Sequence, residues 1–279
     1  MKTKTDFLSL FLAFAMKCAI FTVLCVFGIL MGFIFYNGAR NFHISLFEFV
    51  YNSDNVSLFP AMINTLNMVL FALLIATPLG IFGAVFLTQY AKCGNKIINI
   101  IRTATETLAG IPSIVYGLFG YLAFVLYCGF RISLVAGILT LSIMILPLIL
   151  RSCEEALNGI DSAHKEAALA LGATKIRTIF KVIIPSAMSG ILAGIILAIG
   201  KIVGESAALL YTAGSVAKVG GALDSARNLS VHLYVISSEG LHIGKAYSTA
   251  MVLIIIVLII NLCANVIAKR FASASQKSR

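Results

Sequence analysis

RSCEEALNGIDSAHKEAALALGATKIRTIFKVIIP, residues 151–185, decides how the rest of the chain is read. The stretch carries Arg151, Glu154, Glu155, Asp161, Lys165, Glu166, Lys175, Arg177 and Lys181, in a sequence that is 60% hydrophobic and only 11% charged. Each charge at the centre of a bilayer costs about 2.5–3.5 kcal/mol on insertion scales, so this polar island lies outside lipid. Its local chemistry predicts two short helices with a sharp bend. Asp161 or Ser162 can cap a helix running through His164 to Leu171, and Gly172 supplies the left-handed residue that commonly ends one. Thr174 can cap a second helix, Lys175 to Ile184, with Pro185 opening the segment that follows. On the first helix Ala167, Ala168 and Leu171 form a small apolar surface beside Lys165 and Glu166, and small side chains let a partner approach closely. A solvated loop whose alanines reflect helix propensity alone is the competing local reading.

On both sides of the island the chain is apolar. Mean hydropathy is +1.01 and the charged fraction is less than half that of an ordinary soluble domain. Six segments reach the length of about 20 residues that a bilayer core requires: 18–36, 61–89, 107–127, 132–150, 186–210 and 246–268. Lys2, Lys4, Lys17, Lys92, Lys96, Arg102, the cations of the island, Lys269, Arg270, Lys277 and Arg279 then fall on one face. The opposite face has Arg40, Arg131, Lys218, Arg227 and Lys245. By the positive-inside rule the first group is cytoplasmic, which places both termini and the island inside. The net charge of +10 thus reads as orientation, not as a nucleic-acid surface. The expected layout is one membrane domain over 1–279, with a cytoplasmic N-terminus at 1–17, the coupling segment at 151–185, and extracytoplasmic loops at 37–60 and 211–245. Lys2 and Lys4 precede a run of spanning length without a small-residue cleavage pattern, so the first span is expected to be retained. Phe7, Leu8, Phe11 and Phe14 either lie along the surface as an interfacial helix or extend that span.

Motifs for chemistry are sparse. The six cysteines form no CxxC pair, and His43, His164, His232 and His242 are scattered without ligand spacing, so no metal site is expected. Gly194 to Gly200-Lys201 is the nearest approach to a phosphate loop. It has one residue too many between the glycines and no Ser or Thr after the lysine, so ATP-driven work must come from another chain. A membrane-embedded enzyme would need a nucleophile or metal constellation, and none is found.

The spacing of Glu166-Ala167-Ala168, Gly172, Val182, Ile184 and Pro185 resembles the cytoplasmic coupling motif of ABC-transporter permeases, with Val182 and Ile184 replacing the more usual Ile and Leu. AGIPSIVYGLFG at 109–120, ILPLILRSCEEAL at 145–157, LAIGKIVGESAALLYTAG at 197–214 and AYSTAMVLIIIVLIINLCANVIAKR at 246–270 extend the likeness. Together they are similar to the PstA-type permease of the bacterial phosphate-import ABC transporter. GESAALLYTAG and the last span with Asn261 and Asn265 favour PstA over its sister PstC. The resemblance implies an all-α integral membrane protein with six transmembrane helices of the type I ABC importer permease fold. A coupling loop between helices 4 and 5 would be pressed by an ATPase. It also implies a PstC-like permease, two PstB-like ATPase subunits holding ATP and magnesium, and a PstS-like extracytoplasmic phosphate-binding protein. No cofactor is expected on this chain, and the expected location is the bacterial cytoplasmic (inner) membrane.

The span 186–210 is interrupted by Lys201 and Glu205. At 100° per residue Gly190, Gly194, Ala198, Lys201, Glu205 and Ala208 fall within an arc of about 80°. Small residues favour close helix contact and intramembrane charges mark pathways, so this face is expected to line the route or meet a partner permease. Lys201 is expected to offset the charge of phosphate in transit and Glu205 to orient it, although the two can also simply pair. The family usually has Arg at this position, so Lys201 keeps the charge and loses the fork. Asn64, Asn67, Ser113 and Tyr116 are further candidates for lining, with hydrogen bonding between helices the equal alternative. Gly28 and Gly32 form a GxxxG pair that reads as packing. Arg40, Asp54, Lys218, Asp224, Arg227 and Glu239 are candidates for docking a binding protein. Import of another oxyanion such as molybdate or sulfate is the nearest rival, and an ATP-independent secondary transporter using Lys201 and Glu205 is the next.

Overall fold

The computed structural model describes residues 7–90 and 96–277, and every regular element among them is helical. Among the described residues five helices are long and apolar enough to cross a membrane, and the number is six if one bent pair is counted as a single span. Helix α1 runs Phe7–Arg40 without a break, so the residues before Lys17 extend the first span. Helix α2, Phe59–Val85, continues as a π-helical turn through Phe86–Tyr90. Lys92, in the connection that follows, lies outside the described residues, as do Lys2, Lys4 and Arg279.

The third expected span, 107–127, is divided. Helix α3 is Lys96–Ala109 and α4 is Ser113–Gly120, prolonged as a π-helical segment through Tyr127, and the two are bent by 104°. Gly110 and Pro112 cause the corner: Pro112 has no amide hydrogen to continue α3, and it sits at the N-cap of α4 with φ −58° and ψ 141°. Residues 107–109 therefore belong to a helix running crosswise to the one that crosses.

Helix α5, Leu134–Asn158, lies between α2 and α8 and runs eight residues beyond the expected boundary at 150, carrying Arg151, Glu154 and Glu155 of the island on the same helix. The island continues as α6, Ser162–Ala170, and α7, Lys175–Thr178. A π-helical turn, Ile179–Ile183, joins α7 without interruption to α8, Ile184–Gly204. Short helices α9, Ala207–Thr212, and α10, Leu229–Glu239, precede the last long helix, α11, Ile243–Lys277.

Close packing follows from small residues at the crossings. Gly190 and Gly194 of α8 rest on Ala156 and Ser152 of α5, and Gly80 of α2 rests on Ile149. A Cβ on Gly117 would stand 2.7 Å from the Ala208 backbone. Met68, Leu141, Met144, Ile145, Ile149, Ile191, Ile202 and Leu209 fill the interior. By contrast, α1 meets chiefly α11, where Phe33 sets its ring edge-on to Tyr247 and Gly38 abuts Met251. A Cβ on Gly28 or Gly32 would meet nothing within 4 Å among the described residues, so their small face is open.

Candidate functional site

The island is built by its caps. The Asp161 carboxylate accepts from the Ala163 amide at 3.0 Å to start α6, and the Thr174 hydroxyl accepts from the Arg177 amide at 3.4 Å to start α7. Between them Gly172 adopts φ +80°, a conformation a side chain would strain. No residue of α6 is buried. Glu166, Ala167 and Gly172 are exposed, Ala168 is half-buried, and Val182, Ile184 and Pro185 are half-buried where the element joins α8. Leu171 is 89% exposed, with Leu169, Ile176 and Phe180 also open. The apolar surface is thus wider than the alanine pattern suggested, and Ile176 with Phe180, one turn apart, was its unread signal.

This element is fastened at its base. Lys175 places its ammonium 4.2 Å from the centre of the Tyr90 ring, tying α7 to the end of α2. Arg102 of α3 bonds Glu154 of α5 at 2.7 Å, and Arg151 pairs with Glu155 one turn on. With Thr105, Glu106 and Asn158 these charges line a cleft of about 260 Å³ between α3 and α5.

Above it, Lys201 is half-buried in a groove of about 650 Å³ formed by Ala193, Ile196, Leu197 and Gly200 of α8, Leu148 of α5, and Asn261 and Asn265 of α11. Among the described residues no carboxylate lies within ion-pair distance of it. The two asparagines, one turn apart in an apolar span, are the polar wall that helical spacing in α11 could have revealed.

Glu205 does not share that face. Helix α8 ends at Gly204, and Glu205 is extended at φ −78° and ψ 125°, so the single arc breaks before it. Its Oε1 accepts from the Ala208 amide at 3.0 Å, starting α9, and its backbone carbonyl accepts from Asn228 Nδ2 at 2.8 Å. The carboxylate competes for the first free amides of a new helix, which is why the old one stops there. Glu205→Gln keeps an oxygen for that amide and should leave thermal stability nearly unchanged, whereas Glu205→Ala should cost about 1 kcal/mol. Equal losses of uptake in both variants with unchanged melting would instead restore a role for the charge.

Two of the other lining candidates are bonded within the fold. Asn64 is fully buried: its Nδ2 donates to the carbonyls of Lys218 and Arg227 at 2.8 and 3.0 Å, and its Oδ1 accepts from Gly220 at 3.2 Å. Tyr116 is 5% exposed, and its hydroxyl donates to the Leu108 carbonyl at 2.8 Å, bracing the α3–α4 corner. Ser113 is half-buried at the start of α4. Among the docking candidates Arg40, Asp54 and Glu239 are exposed, and Lys218 pairs with exposed Asp224 at 3.2 Å. The Gly221 amide, then Lys218, holds the Asp224 carboxyl below its ordinary range. Arg227 is only 3% exposed and is not available for docking in this structure.

Residues 76–276 match the family model described as binding-protein-dependent transport system inner membrane component. A probable ABC transporter permease protein, YqgI of Bacillus subtilis strain 168, is 39% identical over 69% of this chain and 71% of its own length. The phosphate transport system permease protein PstA 1 of Mycobacterium tuberculosis strain CDC 1551 is 33% identical over 73% of this chain and 67% of its own. PstA 2 of Mycobacterium bovis is 40% identical over 51% of this chain, which spans about half of that protein, 46%. A chain of a bacterial alginate ABC transporter superposes with TM-score 0.65 at 16% identity, covering 96% of this chain and 99% of that one. One of the MetNI methionine ABC transporter reaches 0.58 at 23% identity, over 77% and 94%. The fold is that of the type I importer permeases.

Proposed function

This chain belongs to the family of binding-protein-dependent transport system inner membrane components, and from that membership we propose that it is the membrane subunit of an ATP-driven importer of inorganic phosphate. It crosses the inner membrane several times, and the excess of Lys and Arg at the island end supports an orientation with that end and both termini in the cytoplasm. A PstC-like permease completes the pathway, two PstB-like subunits bind and hydrolyse ATP with magnesium, and a PstS-like protein delivers phosphate from outside.

The observation that carries the mechanism is mechanical continuity. The exposed surface of α6 and α7 is joined through one unbroken run, Lys175–Gly204, to the helix bearing Lys201. An ATPase that seats α6 in a cleft and closes on ATP displaces the base of that run, and the contacts of Gly190 on Ala156 and Gly194 on Ser152 pass the displacement to α5. Lys201 then meets the anion in the groove with its charge unspent on any carboxylate of the described residues. Its single ammonium attracts without the directional fork of an arginine, so Lys201 contributes charge more than shape selection.

Purification of the chain with its neighbouring subunits, followed by ATPase assays with the binding protein and each oxyanion, tests the substrate. Phosphate is expected to stimulate hydrolysis above sulfate and molybdate. Equal or greater stimulation by either of the others would overturn phosphate as the cargo, and hydrolysis-independent uptake would overturn the ATP-driven class.

A further inference from the structure

At the end of the bundle opposite the island, a buried cation has no counter-charge. Arg227 is 3% exposed, and its Nε and Nη2 are buried without a hydrogen-bond partner. No carboxylate among the described residues forms an ion pair with it. Its backbone is held in place, the amide donating to Val216 and the carbonyl accepting from Asn64. The face of the guanidinium lies 4.7 Å from the centre of the Tyr51 ring, which satisfies the face and leaves the edge bare. His232 also stands against Tyr51, edge-on with ring centres 6.1 Å apart. It is fully buried, and neither ring nitrogen makes a hydrogen bond of good geometry, the Val56 backbone being the group that still acts on the ring.

Burying a charge is costly unless it is paired, and arginine, unlike lysine, cannot discharge itself by losing a proton. Nε and Nη2 form one edge of the guanidinium, with two parallel N–H groups that match two oxygens of a single oxyanion. The described residues supply no such group there. We propose that Arg227 and His232 form a small-oxyanion site at the outer end of the permease, roofed by Tyr51 and occupied by inorganic phosphate during transport.

A small ion suits the site better than a carboxylate from another protein, because the unpartnered atoms are sealed from any surface side chain in this conformation. Burial, then the charge of Arg227, pushes the His232 imidazole down to about 3, with the Val56 carbonyl acting weakly the other way. The ring is therefore neutral and offers one donor and one acceptor. A partly protonated phosphate has both an oxygen and an O–H to meet them, and sulfate has no proton to give. Access requires movement of the 51–58 segment, in which the β-branched Val56 is held at φ +48° and 1% exposure, a strained conformation in the roof itself. The site adjoins the transport route already described: Asn228, the next residue, bonds the Glu205 carbonyl at the end of the helix that bears Lys201. As an outer station for the same cargo, the assignment rests on the phosphate-import reading.

Equilibrium binding of radiolabelled phosphate to the assembled complex in nanodiscs, without ATP or the binding protein, tests it. Arg227→Gln is expected to weaken binding by ~10-fold or more, the loss of a charged fork. His232→Gln is expected to reduce the preference for phosphate over sulfate. Arg227→Gln binding phosphate as the parental complex does would overturn the assignment. Should that variant fail to assemble, hydrogen exchange of the parental complex decides: slower exchange at 51–58 and 226–232 with millimolar phosphate supports the site, and unchanged exchange overturns it. Uptake by the parental complex separates the two readings. Import of phosphate with binding indifferent to Arg227 removes the site alone, and absence of import removes the cargo while the same binding measurements still judge Arg227.

Discussion

Replacing Glu166–Gly172 with a glycine–serine linker of equal length is expected to abolish phosphate uptake while the chain still inserts and packs. No residue of α6 is buried, so the bundle loses no interior contact. What disappears is the surface offered to a partner: Ala167, Ala168, Leu169, Leu171 and the Gly172 bend. Anchors at the centre of an interface commonly carry 2 kcal/mol or more each, so losing two removes about 4 kcal/mol, close to a thousandfold in affinity. The measurement is co-purification of the ATPase together with uptake in vesicles. Retention of both would show that force enters the permease elsewhere. A milder Gly172→Val variant, strained at φ +80°, should fall between the parental chain and the linker.

Lys201→Met is expected to lower uptake by roughly ten- to a hundredfold without loss of stability, and Lys201→Arg to preserve most of it. Two unit charges 4 Å apart attract by about 4 kcal/mol at an effective dielectric near 20, which is ample for an effect of that size even after partial screening. The methionine fills similar volume and removes a charge from an apolar groove, so a purely structural lysine would tolerate the change. Thermal stability that holds or rises while uptake falls identifies an electrostatic role. Uptake at the parental rate by the methionine variant would remove Lys201 from the pathway.

How much of this was legible depended on the range of the interactions. Asp161, Gly172 and Thr174 act on amides and dihedrals within three residues, so the start of α6, the bend and the start of α7 could be read directly from their letters. The expected end of the second helix at Ile184 could not, because the run continues unbroken to Gly204. The corner at Gly110–Pro112 is equally local, yet Leu108, Ile111 and Ile114 keep the hydropathy continuous across it and a window for spans reads through. A helical wheel puts Glu205 beside Lys201 only if the helix is unbroken, whereas its carboxylate binds the Ala208 amide that starts the next one. Asn64 serves carbonyls 154 and 163 residues away, a distance over which pattern says nothing. Arg227 and His232 belong to a segment whose polar composition suggests solvent, and only the tertiary fold buries them.

The isolation of α6 bears on the life of the protein outside its complex. A nine-residue helix is shorter than the ~12–15 residues at which an isolated helix becomes even marginally stable, and α6 buries no residue, leaning only on α7 and the 179–183 turn. Its caps delay fraying but do not prevent it. Left uncovered, a helix of this length is expected to fray with Leu169 and Leu171 in view, which limited proteolysis of the separated chain would detect as cleavage within 162–172. A surplus subunit thereby advertises its own incompleteness, and stoichiometry in the membrane can be kept by degradation rather than by matched synthesis.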